Sequence, residues 1–112
     1  MNSDEIHFDL LRRLEKKPQC SQRELSKEMG VSLGKINYCV NKLIVKGLVK
    51  LKNFSNNKNK RNYYYLLTPK GVEKKRRLTF SFLKLKMDEY EILKDEIDKL
   101  MKDTEKIKSV NK

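Results

Sequence analysis

The stretch SQRELSKEMGVSLGKINYCVNKLIVKG, residues 21–47, constrains the chain more than any other, because it carries start and stop signals for two helices with only a tight turn between them. Ser21 followed by Glu24 is a capping-box pattern, in which the serine oxygen takes a free amide of the first turn and the glutamate reaches back to the cap amide. Leu25 and Met29 lie four apart on one face of the short helix begun there. Gly30 follows where the chain must turn, since only glycine enters the left-handed conformation at low cost. Ser32 then caps a second helix whose Ile36, Val40, Leu43 and Ile44 keep the three-and-four spacing of one buried stripe, and Gly47 closes it.

Ser32 at the start of the second helix, with Leu33, Gly34, Lys35, Asn37, Tyr38, Asn41 and Lys42 along it, makes up the face left outside. Lysine and asparagine offer hydrogen bonds to base edges or phosphates, tyrosine reaches phosphate oxygens or base methyls, and a glycine near the helix start lets a backbone approach closely. A second helix of this kind lies in a major groove while the first crosses the backbone. The alternative is a helical hairpin whose polar face is merely solvated.

Charge separates these readings further. Lys and Arg number 27 against 15 Asp and Glu, a net charge of +12, and the excess sits in residues 1–87, with 21 basic and 7 acidic side chains, against 6 and 8 in residues 88–112. Such a field draws polyanions, so nucleic acid is the first partner to expect and an anionic membrane the second; unspecific surface charge is the alternative. At 112 residues the chain buries one modest core, too little for a large enzyme cleft. It has no phosphate-cradling glycine loop, no nucleophile with a base at suggestive spacing and a single histidine, His7, which reads as a packing residue. Cys20 and Cys39 lack metal-ligand spacing, so neither a metal nor a cofactor is expected. A thiol switch at Cys39 is set against a small, semi-buried side chain. No apolar run is long enough for a bilayer and MNSDEIHFD is no signal peptide, so the expected location is the cytoplasm.

Upstream, residues 3–17 read as a helix capped by Ser3 or Asp4, with Ile6, Leu10, Leu11 and Leu14 facing inward. Phe8 points away from that stripe, as a residue at a subunit contact would. After Gly47 the period changes to two. Residues 48–53 and 63–67 read as strands around a polar, basic segment that has no acidic residue, the arrangement of a wing, with Lys58, Lys60 and Arg61 placed for a minor groove or phosphates. The last helix runs from about Pro69 to about Lys108. Val72, Leu78, Phe82 and Leu83 are expected to pack on the winged part, and Leu83, Tyr90, Leu93, Ile97, Leu100 and Ile107 form a coiled-coil seam, with Lys86 and Thr104 weakening it. Glu89 and Asp103 would face Lys94 and Lys108 across a parallel pair. The expected fold is therefore mainly α with a small β-hairpin (α+β), a winged helix-turn-helix followed by a long C-terminal helix forming a dimeric coiled coil. Residues 1–73 make the DNA-binding part and residues 74–112 the dimerisation helix.

The run ELSKEMGVSLGKINYCVNKLIVKGLVK, the basic wing and LLTPKG together resemble the MarR family of bacterial winged-helix transcription regulators. SLGKINYC with the long last helix is most similar to a small subgroup, the EPS-associated regulators, named for a link with exopolysaccharide genes. The resemblance implies a homodimeric repressor on a palindromic operator. It also gives Arg61 the minor-groove role of the family's Asp-x-Arg, although Asn59 stands in the place of the aspartate. Larger members hold ligands between the DNA-binding lobe and a two-helix dimer region. With one terminal helix there, this chain points to no particular small-molecule effector.

Overall fold

Asn2 starts the first helix, ahead of the serine and aspartate expected to cap it. Its side-chain oxygen accepts from the Glu5 amide at 2.8 Å, and α1 runs Ser3–Lys16. Three candidate caps stand in a row there, and the one whose extended backbone aims its oxygen at the third amide onward takes the role. The computed structural model describes residues 2–53 and 63–110.

In α2, Gln22–Met29, the Ser21 hydroxyl oxygen accepts from the Glu24 amide at 3.1 Å, half of the capping box. The other half is replaced, because Lys17 holds the Glu24 carboxylate at 3.1 Å instead. Gly30 ends α2 at φ 65°, and the Ser26 hydroxyl donates to the Val31 carbonyl, so the turn satisfies its own polar groups. Ser32 caps α3, Leu33–Val45, by accepting from the Lys35 amide at 3.2 Å. Ile36, Val40 and Leu43 are buried as the spacing requires and Cys39 joins them, while Ile44, at the rim of the stripe, is only half-buried. With Leu10, Leu11, Leu14, Leu25 and Val49 they form the core, each large side chain contributing about 1.5–3 kcal/mol when fully buried.

Strand β1, Val49–Asn53, pairs antiparallel with β2, Tyr63–Leu67, in a register that sets Val49 opposite Leu67 and Leu51 opposite Tyr65. Tyr65 ties this hairpin to the helices. Its amide donates to the Pro18 carbonyl at 2.9 Å, and its hydroxyl accepts from Gln22 at 3.4 Å. Lys58, Lys60 and Arg61 lie outside the described residues.

Helix α4 runs Pro69–Val110. Thr68 caps it by accepting from the Gly71 amide at 3.0 Å, and the same hydroxyl donates to the Gly47 carbonyl at 2.6 Å, fastening the exit of α3 to the start of α4. Two compact units divide the chain between Thr79 and Phe80. Within the first unit Lys75 holds Glu15 at 2.6 Å and Leu78 is buried, which fastens the early turns of α4. Val72, expected to pack, is 48% exposed, since Gly71 is the residue turned into the contact. Leu83, also expected to pack, is exposed. The second unit is a single helix and offers no other element to bury against.

In that second unit Leu83, Tyr90, Leu93, Ile97, Leu100 and Ile107 are all exposed, between 47% and 64%. The Thr104 hydroxyl is satisfied within the helix by the Leu100 carbonyl at 2.9 Å, and Glu89 is taken by Lys86 at 3.2 Å on the same helix.

Candidate nucleic-acid interface

Helix α3 turns 100° per residue, so burying Ile36, Cys39, Val40 and Leu43 on one side dictates what stands on the other. Gly34, Tyr38, Asn41 and Val45 form the outermost line, Asn37 stands on one flank, and Lys35 and Lys42 stand on the opposite flank. Ser32, Leu33, Gly34, Lys35, Asn37, Tyr38, Asn41 and Lys42 are all exposed. Val45, at 85%, extends the line by one turn. Val45 follows Tyr38 by seven residues and Asn41 by four, so the spacing that turns those two outward turns it outward as well. An apolar side chain there suits a thymine methyl.

The exposed side chains are organised among themselves. Both ammonium groups, Lys35 and Lys42, lie close to the Tyr38 ring, 5.7 Å and 5.8 Å from its centroid, so the negative π-face gathers the two cations on one flank. The Asn41 side-chain Nδ2 donates to the Asn37 side-chain Oδ1 at 2.6 Å. No acidic residue occurs in α3, so nothing on the helix neutralises its charge. The Ser32 oxygen is spent on the cap, and its hydroxyl hydrogen remains for an outside acceptor.

Around this helix the basic residues divide by role. Arg13 is bound to Asp9 at 3.0 Å and to Glu28 at 2.7 Å and so clamps α1 to α2. Arg12 lies over the Phe8 ring at 5.4 Å, and Phe8 is partly covered within its own chain. Lys50 and Lys52, two apart on β1, project from one face of the hairpin and are exposed.

Behind the interface, burial holds the His7 imidazole below its ordinary value, reinforced by the charges of Lys46 and Lys42 at the end of α3; Asp4 opposes this and Lys74 adds to it. His7 is buried in the core, as its reading as a packing residue required. Cys39 is only 2% exposed and faces inward. Burial pushes the Cys20 thiol up, with the Glu24 carboxylate adding to the effect. Among the described residues no group of three or more His, Cys, Asp or Glu is placed to hold a metal, and no helix is long and apolar enough to cross a membrane.

Residues 3–50 match the winged helix-turn-helix DNA-binding family. No curated protein sequence matches the chain. Among solved structures it is similar to the transcriptional regulator BldR from Sulfolobus solfataricus, at 28% identity and a TM-score of 0.61, over 71% of this chain and 55% of that one. A MarR family protein of Mycobacterium tuberculosis, solved with p-aminosalicylic acid, is 26% identical at a TM-score of 0.56, over 66% of this chain and 54% of that one. The chain thus spans about half the length of these two regulators. Streptococcus pneumoniae FabT, solved in complex with DNA, shares the fold at 21% identity and a TM-score of 0.55, over 90% of this chain and 75% of that one.

Proposed function

We propose that this chain is a homodimeric, sequence-specific regulator of transcription that places α3 in the major groove of double-stranded DNA. The observation that carries the reading is the outer face of α3, exposed along its whole length, free of acidic residues and furnished with two lysines, two asparagines and a tyrosine. A merely solvated helix face needs no such pairing of like side chains, and the likeness to winged helix-turn-helix regulators supports the same assignment.

Lys35, Lys42, Lys58, Lys60 and Arg61 supply phosphate contacts, while Asn37, Tyr38 and Asn41 face base edges and Gly34 gives the backbone room to approach. Residues 1–73 form the DNA-binding domain and residues 74–112 the dimerisation helix. The exposed seam of Leu83, Tyr90, Leu93, Ile97, Leu100 and Ile107 is covered by the same seam of a second copy, with Phe8 adding to the contact. A two-fold dimer sets two recognition helices about 34 Å apart and requires a palindromic operator. The resemblance to the EPS-associated subgroup extends the proposal to repression of exopolysaccharide genes, carried out in the cytoplasm. Selection from a randomised duplex pool tests the reading: it should yield a palindrome, and a pool unchanged by selection would refute it.

A further inference from the structure

We infer that Asn37 and Asn41 act as one unit that reads an adenine in the major groove. The inference rests on the DNA-binding reading and adds to it the base that this part of α3 recognises. An exposed asparagine can ordinarily turn either end of its amide outward, since its last torsion is broad. Here the 2.6 Å bond from Asn41 Nδ2 to Asn37 Oδ1 favours one orientation of each amide. Asn41 keeps its carbonyl oxygen and one N–H, and Asn37 keeps both N–H groups. The pair therefore offers donors and an acceptor side by side from the outer part of the helix.

Adenine answers that pattern with both an acceptor and a donor. Adenine sets an acceptor, N7, beside a donor, the N6 amino group. Guanine sets two acceptors there, cytosine a donor, and thymine an acceptor and a methyl. Guanine's N7 and O6 would take only donors from the pair and leave the Asn41 oxygen without a partner. Lysine ammonium groups favour guanine, but Lys35 and Lys42, the two lysines of α3, gather at the Tyr38 ring on the opposite flank from Asn37. The bond also forms in the free protein, so the ordering of two exposed side chains precedes binding.

The test uses the full chain and the duplex it selects from a randomised pool. Each adenine of a half-site is replaced in turn by 7-deazaadenine, which lacks the N7 acceptor. At one position the replacement should weaken the wild-type complex about 10-fold, and the same replacement should change nothing for Asn37→Ala or Asn41→Ala. The double variant should discriminate no worse than either single one, because each residue depends on the other. Both side chains are exposed, so the variants should melt with the wild type. A selected operator with no 7-deaza-sensitive adenine, or sensitivity that survives in the alanine variants, overturns this inference and leaves the DNA-binding reading standing. Failure to select any duplex overturns both.

Discussion

Gly71 packs against the backbone of Leu48 so closely that a Cβ built on it would fall on the Leu48 carbonyl oxygen. That oxygen also accepts from the Thr68 amide at 3.0 Å, so the first turn of α4 is seated on the segment that leaves the recognition helix. Backbone meets backbone at this point and neither side can yield. Gly71→Ala should destabilise the fold by about 1–3 kcal/mol despite alanine's better helix propensity. Gly34→Ala is the matched contrast, since nothing lies within 4 Å of a Cβ built there. It should raise stability by roughly 0.5–1 kcal/mol while weakening operator binding, because the new methyl stands where DNA would approach. Thermal melts and gel-shift titrations read both effects.

Arg13 joins α1 to α2 through Asp9 and Glu28 and should behave as a structural residue. The side chains are 34%, 18% and 52% exposed, so solvent screening discounts the pairs and Arg13→Ala should cost about 0.5–1 kcal/mol. Operator affinity measured well below the melting temperature should change less than in Lys35→Ala or Lys42→Ala. A larger loss of affinity in Arg13→Ala would place it among the phosphate contacts.

Stability should fall in mild acid through His7. Burial and the nearby lysines place its folded pKa below the ordinary 6.5, so the unfolded chain takes up a proton that the folded chain refuses. This contribution is absent above 6.5 and grows as pH falls through that value toward the folded pKa. Melting temperatures compared at about pH 7.5 and about pH 5.5 should drop more for the wild type than for His7→Gln. Carboxylates, common to both proteins, cancel in the comparison. Equal drops would remove His7 from the account.

Ile97→Glu places a charge in the middle of the exposed seam of α4. Sedimentation should show a wild-type dimer and a variant monomer, and the variant should keep its affinity for a half-site while losing the palindrome. A wild-type monomer at the concentrations that bind operator would refute the dimer.

Much of the fold was legible because its signals are local. Ser21, Ser32 and Thr68 each find an amide three residues on, and Gly30 supplies the one left-handed step between α2 and α3. The outward face of α3 followed from where its apolar stripe lies. What escaped depended on partners distant in the chain. Nothing near Arg13 in sequence announces Glu28, and nothing near Gly71 announces Leu48. The cap at Asn2 was obscured by two rivals next to it. The Asn37–Asn41 bond was hidden for another reason, since spacing brings two side chains together without saying which atoms meet.

Binding of the purified protein to its selected duplex, followed by fluorescence anisotropy as salt is raised, tests the central claim most directly. The account predicts tight binding at low ionic strength that weakens steeply with salt, with a slope reduced by about 1 for each of Lys35→Ala, Lys42→Ala and Lys58→Ala. In Asn37→Ala the slope should hold while the preference over random duplex is lost. A protein indifferent to duplex at low salt, or one whose binding is untouched by any change on the outer face of α3, would contradict it.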